Sequence, residues 1–170
     1  MNTAIINSDS YEKHNTGDGH PEQPKRVIAI KEKLKKRNDL IWETPVSVPD
    51  DILAMTHSKE YIENLNNSFP QKGLKFLDGD TVVSPESKKA VFDAAGSTIK
   101  AIDGIENNQF KNAFCLARPP GHHAEKNKAM GFCCISNAGI ATNYLINKYK
   151  YKSCLLYTSP SPRDQRGARI

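Results

Sequence analysis

Two adjacent histidines carry the clearest chemical signal in this sequence of 170 residues. His122 and His123 directly follow Arg118-Pro119-Pro120-Gly121. A neutral imidazole takes up a proton near pH 7, and its protonated form gives one back, so a positioned pair suits general acid–base work. The two prolines stiffen the chain and Gly121 permits a tight turn, which gives such a pair a rigid loop. The plain reading of a His-His pair is surface or core decoration; its place at the end of an apolar run, in a Pro-Pro-Gly frame, makes chemistry an equal alternative. His14, His20 and His57 stand apart from the pair and read as structural hydrogen-bonders. The cysteines, Cys115, Cys133, Cys134 and Cys154, contain no C-x-x-C pair, which argues against a zinc ribbon. Scattered thiols fit a reducing compartment and small buried positions.

The elements that must hold these residues follow from periodicity. Residues 3–7 form a short β-type run. A polar loop from Ser8 to Gln23 leads to Pro24, well placed in the first turn of a helix. Val27, Ile30 and Leu34, with lysines between them, predict an amphipathic helix over residues 24–37. Ile41-Trp42 reads as a strand, and Asp50 to Ala54 is ambiguous. Ser58 caps a helix that begins at Lys59. Residues 77–81 form a loop. Ser84-Pro85-Glu86 reads as a helix start, with an apolar stripe running to about residue 105. Ala113-Phe114-Cys115-Leu116-Ala117 predicts a strand buried on both faces, as in a parallel sheet covered by helices. A last helix spans residues 137–149. Strands alternating with helices argue an α/β layered fold, in which function gathers beyond the C-terminal strand ends, where the two histidines lie.

Arg118-Pro119-Pro120-Gly121-His122-His123-Ala124, followed by Met130-Gly131-Phe132-Cys133, resembles the active-site signature of the histone deacetylase and acetylpolyamine amidohydrolase superfamily. His14, the run His20-Pro21-Glu22-Gln23-Pro24-Lys25-Arg26, the run Thr56 to Ile62, and Asp78-Gly79-Asp80-Thr81 are similar to further family segments in the same order. The resemblance covers residues 3–153 and is closest to class II and bacterial members. It implies a three-layer α/β/α, arginase/deacetylase-like fold with a mainly parallel sheet. It also implies a zinc-dependent amidohydrolase that removes acetyl or other acyl groups from lysine side chains or polyamines. By the same resemblance, His123 is the general base and the acid for the leaving amine, and His122 its electrostatic partner. Gly131 and Phe132 line the channel for the acyl-lysine stem, where each buried CH₂ contributes about 0.8 kcal/mol. Arg26 matches an arginine of an inner cavity, and Asp80 lies in a rim loop facing substrate. Each of the last three side chains also has a plain reading: core for Phe132, exposed helix for Arg26, turn for Asp80.

The family's zinc ligands, two aspartates and a histidine, begin with a D-x-D-x-H-H-G-type motif expected just beyond the last helix. Here the sequence reads Lys152-Ser153 and then changes character. Cys154-Leu155-Leu156-Tyr157-Thr158-Ser159-Pro160-Ser161-Pro162-Arg163-Asp164 resembles the translation of a transposase adaptor used in sequencing libraries. Residues 1–153 are therefore expected to be the N-terminal part of a deacetylase domain, and 154–170 a non-native tail, with a native polar tail as the alternative. The metal ligands are expected beyond residue 153. This chain is then expected to be an incomplete fold that is inactive and binds no zinc tightly, while the full-length protein is a zinc enzyme. A non-catalytic acyl-lysine-binding module, or pseudoenzyme, is the alternative.

Composition narrows the classes. With 38% apolar and 25% charged residues, the chain is an ordinary globular sequence. No apolar run approaches the roughly 18 residues of a membrane span, and the N-terminus has no secretory pattern, so a cytoplasmic protein without membrane partners is expected. The net charge of +5 is modest, and the lysine-rich helix reads as a solvated face, which argues against direct nucleic-acid binding.

Overall fold

The computed structural model describes residues 2–156. Residues 157–170, most of the adaptor-like run, lie outside the described residues, while Cys154, Leu155 and Leu156 are exposed.

Strand β1 (Thr3–Ile6) lies at the centre of a three-stranded parallel sheet, between β2 (Leu40–Glu43) and β5 (Asn112–Cys115). The register sets Ile5 beside Trp42 and Phe114, and Ile6 beside Glu43 and Cys115. Because strand side chains alternate, these trios occupy opposite faces. Helix α5 (Ser87–Glu106) covers the Ile6 face. The Cys115 thiol lies 3.4 Å from the Ser97 carbonyl, and Lys100 pairs with Glu43 at 3.1 Å. Helix α2 (Pro24–Leu34) forms the crossover from β1 to β2 and adds Val27 to the buried cluster around Ile5 and Leu116. A second cluster joins α3 (Asp50–Leu53), α4 (Lys59–Asn66), α5 and α6 (Asn137–Tyr149) through Leu53, Ile62, Val91, Ile99 and Ile140. The mainly parallel α/β architecture is as expected.

The caps of two helices are side-chain hydroxyls. Ser58 accepts the Tyr61 amide at 3.2 Å, as anticipated, and Ser136 accepts that of Gly139 at 3.3 Å. Other expectations need correction. Helix α2 ends at Leu34, because the amides of Lys36 and Arg37 reach back only three residues, to Lys33 and Leu34, a tightened 3₁₀ turn. Ser84 does not cap α5: the helix begins at Ser87, whose hydroxyl accepts the Ser84 amide at 2.7 Å. Strand β5 is not buried on both faces. Phe114 is 47% exposed, because β5 is an edge of the sheet among the described residues. Short elements without clear periodicity also appear: α1 (Ser10–Lys13), α3, and a hairpin of β3 (Lys75–Phe76) with β4 (Val82–Val83). Along the lysine-rich α2, Lys31 pairs with Asp9 and Glu12, and just beyond it Arg37 pairs with Asp39. Among the described residues no helix is long and apolar enough to cross a membrane.

Candidate functional site

Beyond β5 the chain stays beside β1, with the Leu116 amide donating to the Ile6 carbonyl at 2.9 Å. Arg118 is buried, the Arg118–Pro119 peptide is cis, and Gly121 accepts the Ala138 amide from the first turn of α6 at 3.1 Å. The loop is thus held at both ends, by a strand and by a helix. His122 and His123 emerge exposed, their ring centroids 4.1 Å apart at an interplanar angle of 51°.

The second apolar motif closes on them from below. The His123 amide faces the buried Cys133 sulfur at 3.4 Å. Gly131 has φ +56, and a Cβ there would lie 2.9–3.0 Å from atoms of the His123 side chain. Backbone therefore passes directly against the imidazole, a placement that glycine alone satisfies in both conformation and space. Phe132 also has positive φ, +69, and its amide is held by the Thr81 hydroxyl at 3.1 Å. His20 packs edge-on against the Phe132 ring, with centroids 4.9 Å apart. With its proton on Nε2, His20 donates to the Asp80 carbonyl at 3.1 Å, while Nδ1 accepts the Glu22 amide at 3.1 Å. The Asp78 carboxylate accepts the amides of Asp80 and Thr81, at 3.0 and 2.6 Å, which shapes the rim turn.

His122, His123, Gly131, Phe132 and Asp80 therefore belong to one network of contacts, which Asp80 joins through its backbone carbonyl. Arg26 is not part of it. Its side chain is exposed in the first turn of α2. The described residues around that turn leave it open to solvent. His14 and His57 are each 1% exposed and hydrogen-bonded, as structural histidines should be. Burial holds both below the ordinary histidine pKa of 6.5. Burial also raises the Cys133 thiol, which disfavours a thiolate nucleophile there.

Sequence reasoning missed Glu22, Arg118 and Thr81 as builders of this site. Arg118 is forked onto Glu22, with Nε to Oε1 at 2.5 Å and Nη2 to Oε2 at 2.8 Å, and its Nη1 donates to the Tyr11 carbonyl. The available signal was an arginine placed directly before a di-proline loop and a glutamate inside the His20–Arg26 motif. Among the described residues no group of three or more His, Cys, Asp or Glu side chains is arranged to hold a metal ion. These residues by themselves do not fit a zinc site.

Comparison with known proteins agrees with the motif. The histone deacetylase domain family matches residues 20–156. The chain is 40% identical over 154 residues to the uncharacterized protein slr0245 of Synechocystis sp., covering 85% of this chain and 49% of that protein. It is 37% identical over 144 residues to a probable deacetylase of Methanothermobacter thermautotrophicus, covering 82% and 41%. The crystal structure of the HDA15 HD domain superposes with a TM-score of 0.78 at 28% identity, over 87% of this chain and 44% of that one. The chain spans about half, or less, of the length of the curated relatives it matches.

Proposed function

The chain belongs to the histone deacetylase domain family, and from that premise we propose that it carries the proton-transfer half of a metal-dependent amidohydrolase acting on acetylated lysine side chains or polyamines in the cytoplasm. One observation supports this most directly: the His123 side chain stands against the Gly131 backbone, so the proposed proton-transfer group adjoins the segment proposed as the channel wall.

The chemistry available to these residues is general acid–base catalysis of amide hydrolysis. His123 takes a proton from the attacking water as the C–O bond forms, then delivers it to the departing nitrogen as the C–N bond breaks. Such transfers contribute roughly 10²–10⁴-fold in rate. His122, its ring 4.1 Å away, is the proposed electrostatic partner of His123. Gly131 and Phe132 seat the methylene stem, and Asp80 lies on the rim that meets the substrate backbone. Zinc is the family's metal. We propose, from the family resemblance, that its ligands lie beyond residue 153; among the described residues no donor set is assembled. The same fact supports a second reading, in which this chain binds acyl-lysine without turning it over.

The test uses the 170-residue chain and, as the proposal requires, a longer protein in which residues 1–153 continue into the D-x-D-x-H-H-G-type motif. The chain alone is expected to show no stoichiometric zinc binding by calorimetry and no release of acetate from acetyl-lysine peptides or acetylated polyamines. The zinc-loaded longer protein is expected to turn over one of these substrates and to lose roughly 10²–10⁴-fold in kcat on His123→Ala, with its fold intact. Full activity in that variant would remove the assignment. Acyl-peptide binding without turnover by the longer protein would favour the second reading.

A further inference from the structure

One buried carboxylate residue reaches both sides of this network of contacts. Glu22, Arg118 and His14 are 1%, 3% and 1% exposed. Glu22 grips Arg118 through both oxygens, which fixes the residue where the histidine loop leaves β5. Its Oε2 lies 3.5 Å from His14 Nε2, and His14 Nδ1 is 2.6 Å from the Ser87 hydroxyl at the start of α5. The backbone of the same residue faces the other wall. The Glu22 amide donates to His20 Nδ1, and its carbonyl accepts the Thr16 hydroxyl at 2.5 Å. His20 in turn meets the Phe132 ring and the Asp80 carbonyl. The side chain of Glu22 thus holds the base of the proton-transfer loop, while its backbone holds the channel wall and rim.

We propose that Glu22 is the positioning residue of this site, setting His122–His123 in register with Phe132 and Asp80 through its Arg118 fork and its backbone grip on His20. It touches no reacting atom; it acts through Arg118 and His20. A planar guanidinium matched to both carboxylate oxygens fixes orientation as well as distance, which a single hydrogen bond does not. Burial works against ionising Glu22, yet His14 and Arg118 outweigh it and hold the carboxyl at about 2, so the fork persists across the physiological range. The catalytic meaning of this inference rests on the reading of His122–His123 given above; its geometric content does not.

The test is made on the 170-residue chain, by cross-relaxation between ring protons. The wild type should give cross-peaks between the His20 and Phe132 rings and between the His123 ring and the Gly131 α-protons. Glu22→Gln strands a buried arginine and is expected to lower the melting temperature. The double variant Glu22→Leu/Arg118→Met removes both charges and is expected to recover the melting temperature and leave the methyl signals of Leu53, Val91 and Ile99 in place. The His123–Gly131 cross-peaks should nevertheless be lost in the double variant and partly retained in Arg118→Lys, while the His20–Phe132 cross-peaks, held by the backbone amide of residue 22, should persist in both. A double variant that regains stability and keeps the His123–Gly131 cross-peaks would overturn the proposal, because the pair would then be packing alone. Complete unfolding of all three variants would also overturn it, since the cluster would be a folding element. Because no turnover is measured, failure of the hydrolase assignment leaves these outcomes unchanged.

Discussion

His57 shows how a single buried side chain ties the loop through Lys126 to the scaffold. Its Nδ1 faces the Lys126 carbonyl at 3.2 Å, and its Nε2 accepts the Ser136 amide at 2.9 Å, just where α6 begins. Both bonds require the neutral ring with its proton on Nδ1, since protonation would give Nε2 a hydrogen pointing at an amide donor. Burial, opposed by the carbonyls of Lys126 and Glu125, keeps the folded pKa below 6.5. The sign follows from linkage. As pH falls below the unfolded value of 6.5, the unfolded chain takes up a proton that the native chain refuses. Stability is therefore full above about pH 6.5 and declines as pH drops toward the depressed native value, with His14 contributing in the same direction. Urea unfolding measured from pH 7.5 to 5 should show this decline, and His57→Gln should flatten it. An unchanged slope in that variant would mean that His57 is not a principal titrating group.

At the scale of elements, α5 is the spine on which sheet and second cluster meet, and Gly96 shows why its sequence is not the best helix former. A Cβ there would run into the Val46 carbonyl oxygen and lie 3.4 Å from Pro45 Cβ. Intrinsic propensity favours Gly96→Ala by about 1 kcal/mol. Overpacking against backbone costs about 1–3 kcal/mol, and the Val46 carbonyl is not the end of a flexible side chain. The packing penalty is expected to win, giving a lower melting temperature for Gly96→Ala; a higher one would show that the segment through Pro45 and Val46 yields freely. The same distinction explains what the sequence disclosed. Strand β1, helices α4 and α6, and the histidine loop were legible because apolar period, a capping serine and the Pro-Pro-Gly-His-His frame are local signals. The Glu22–Arg118 fork was not, because its partners are 96 residues apart and nothing local marks a glutamate for burial. The end of α2 was misjudged because lysine suits an α turn and a 3₁₀ turn alike.

For the whole molecule, the decisive feature is a sheet whose central strand is sealed and whose flanks are not. Ile5 is 2% exposed, while its register neighbours Trp42 and Phe114 are 37% and 47% exposed on the same face. Among the described residues, β5 also has an unpaired edge. An open edge carrying a large apolar side chain is a template for pairing with another copy, and proteins commonly blunt such edges with lysine. Phe114→Lys places a charge where the side chain is already half in solvent. It should therefore remove little buried area and shift the melting temperature only slightly. Self-association depends instead on the exposed ring and edge, so light scattering during concentration of the chain should show markedly slower growth of large species in the variant. Equal growth rates at equal stability would place the association surface elsewhere. A large fall in melting temperature would mean that Phe114 contributes to the core through its buried half. Comparing the two measurements separates an edge that attracts partners from one that supports the fold, and the geometry of the sheet predicts the first.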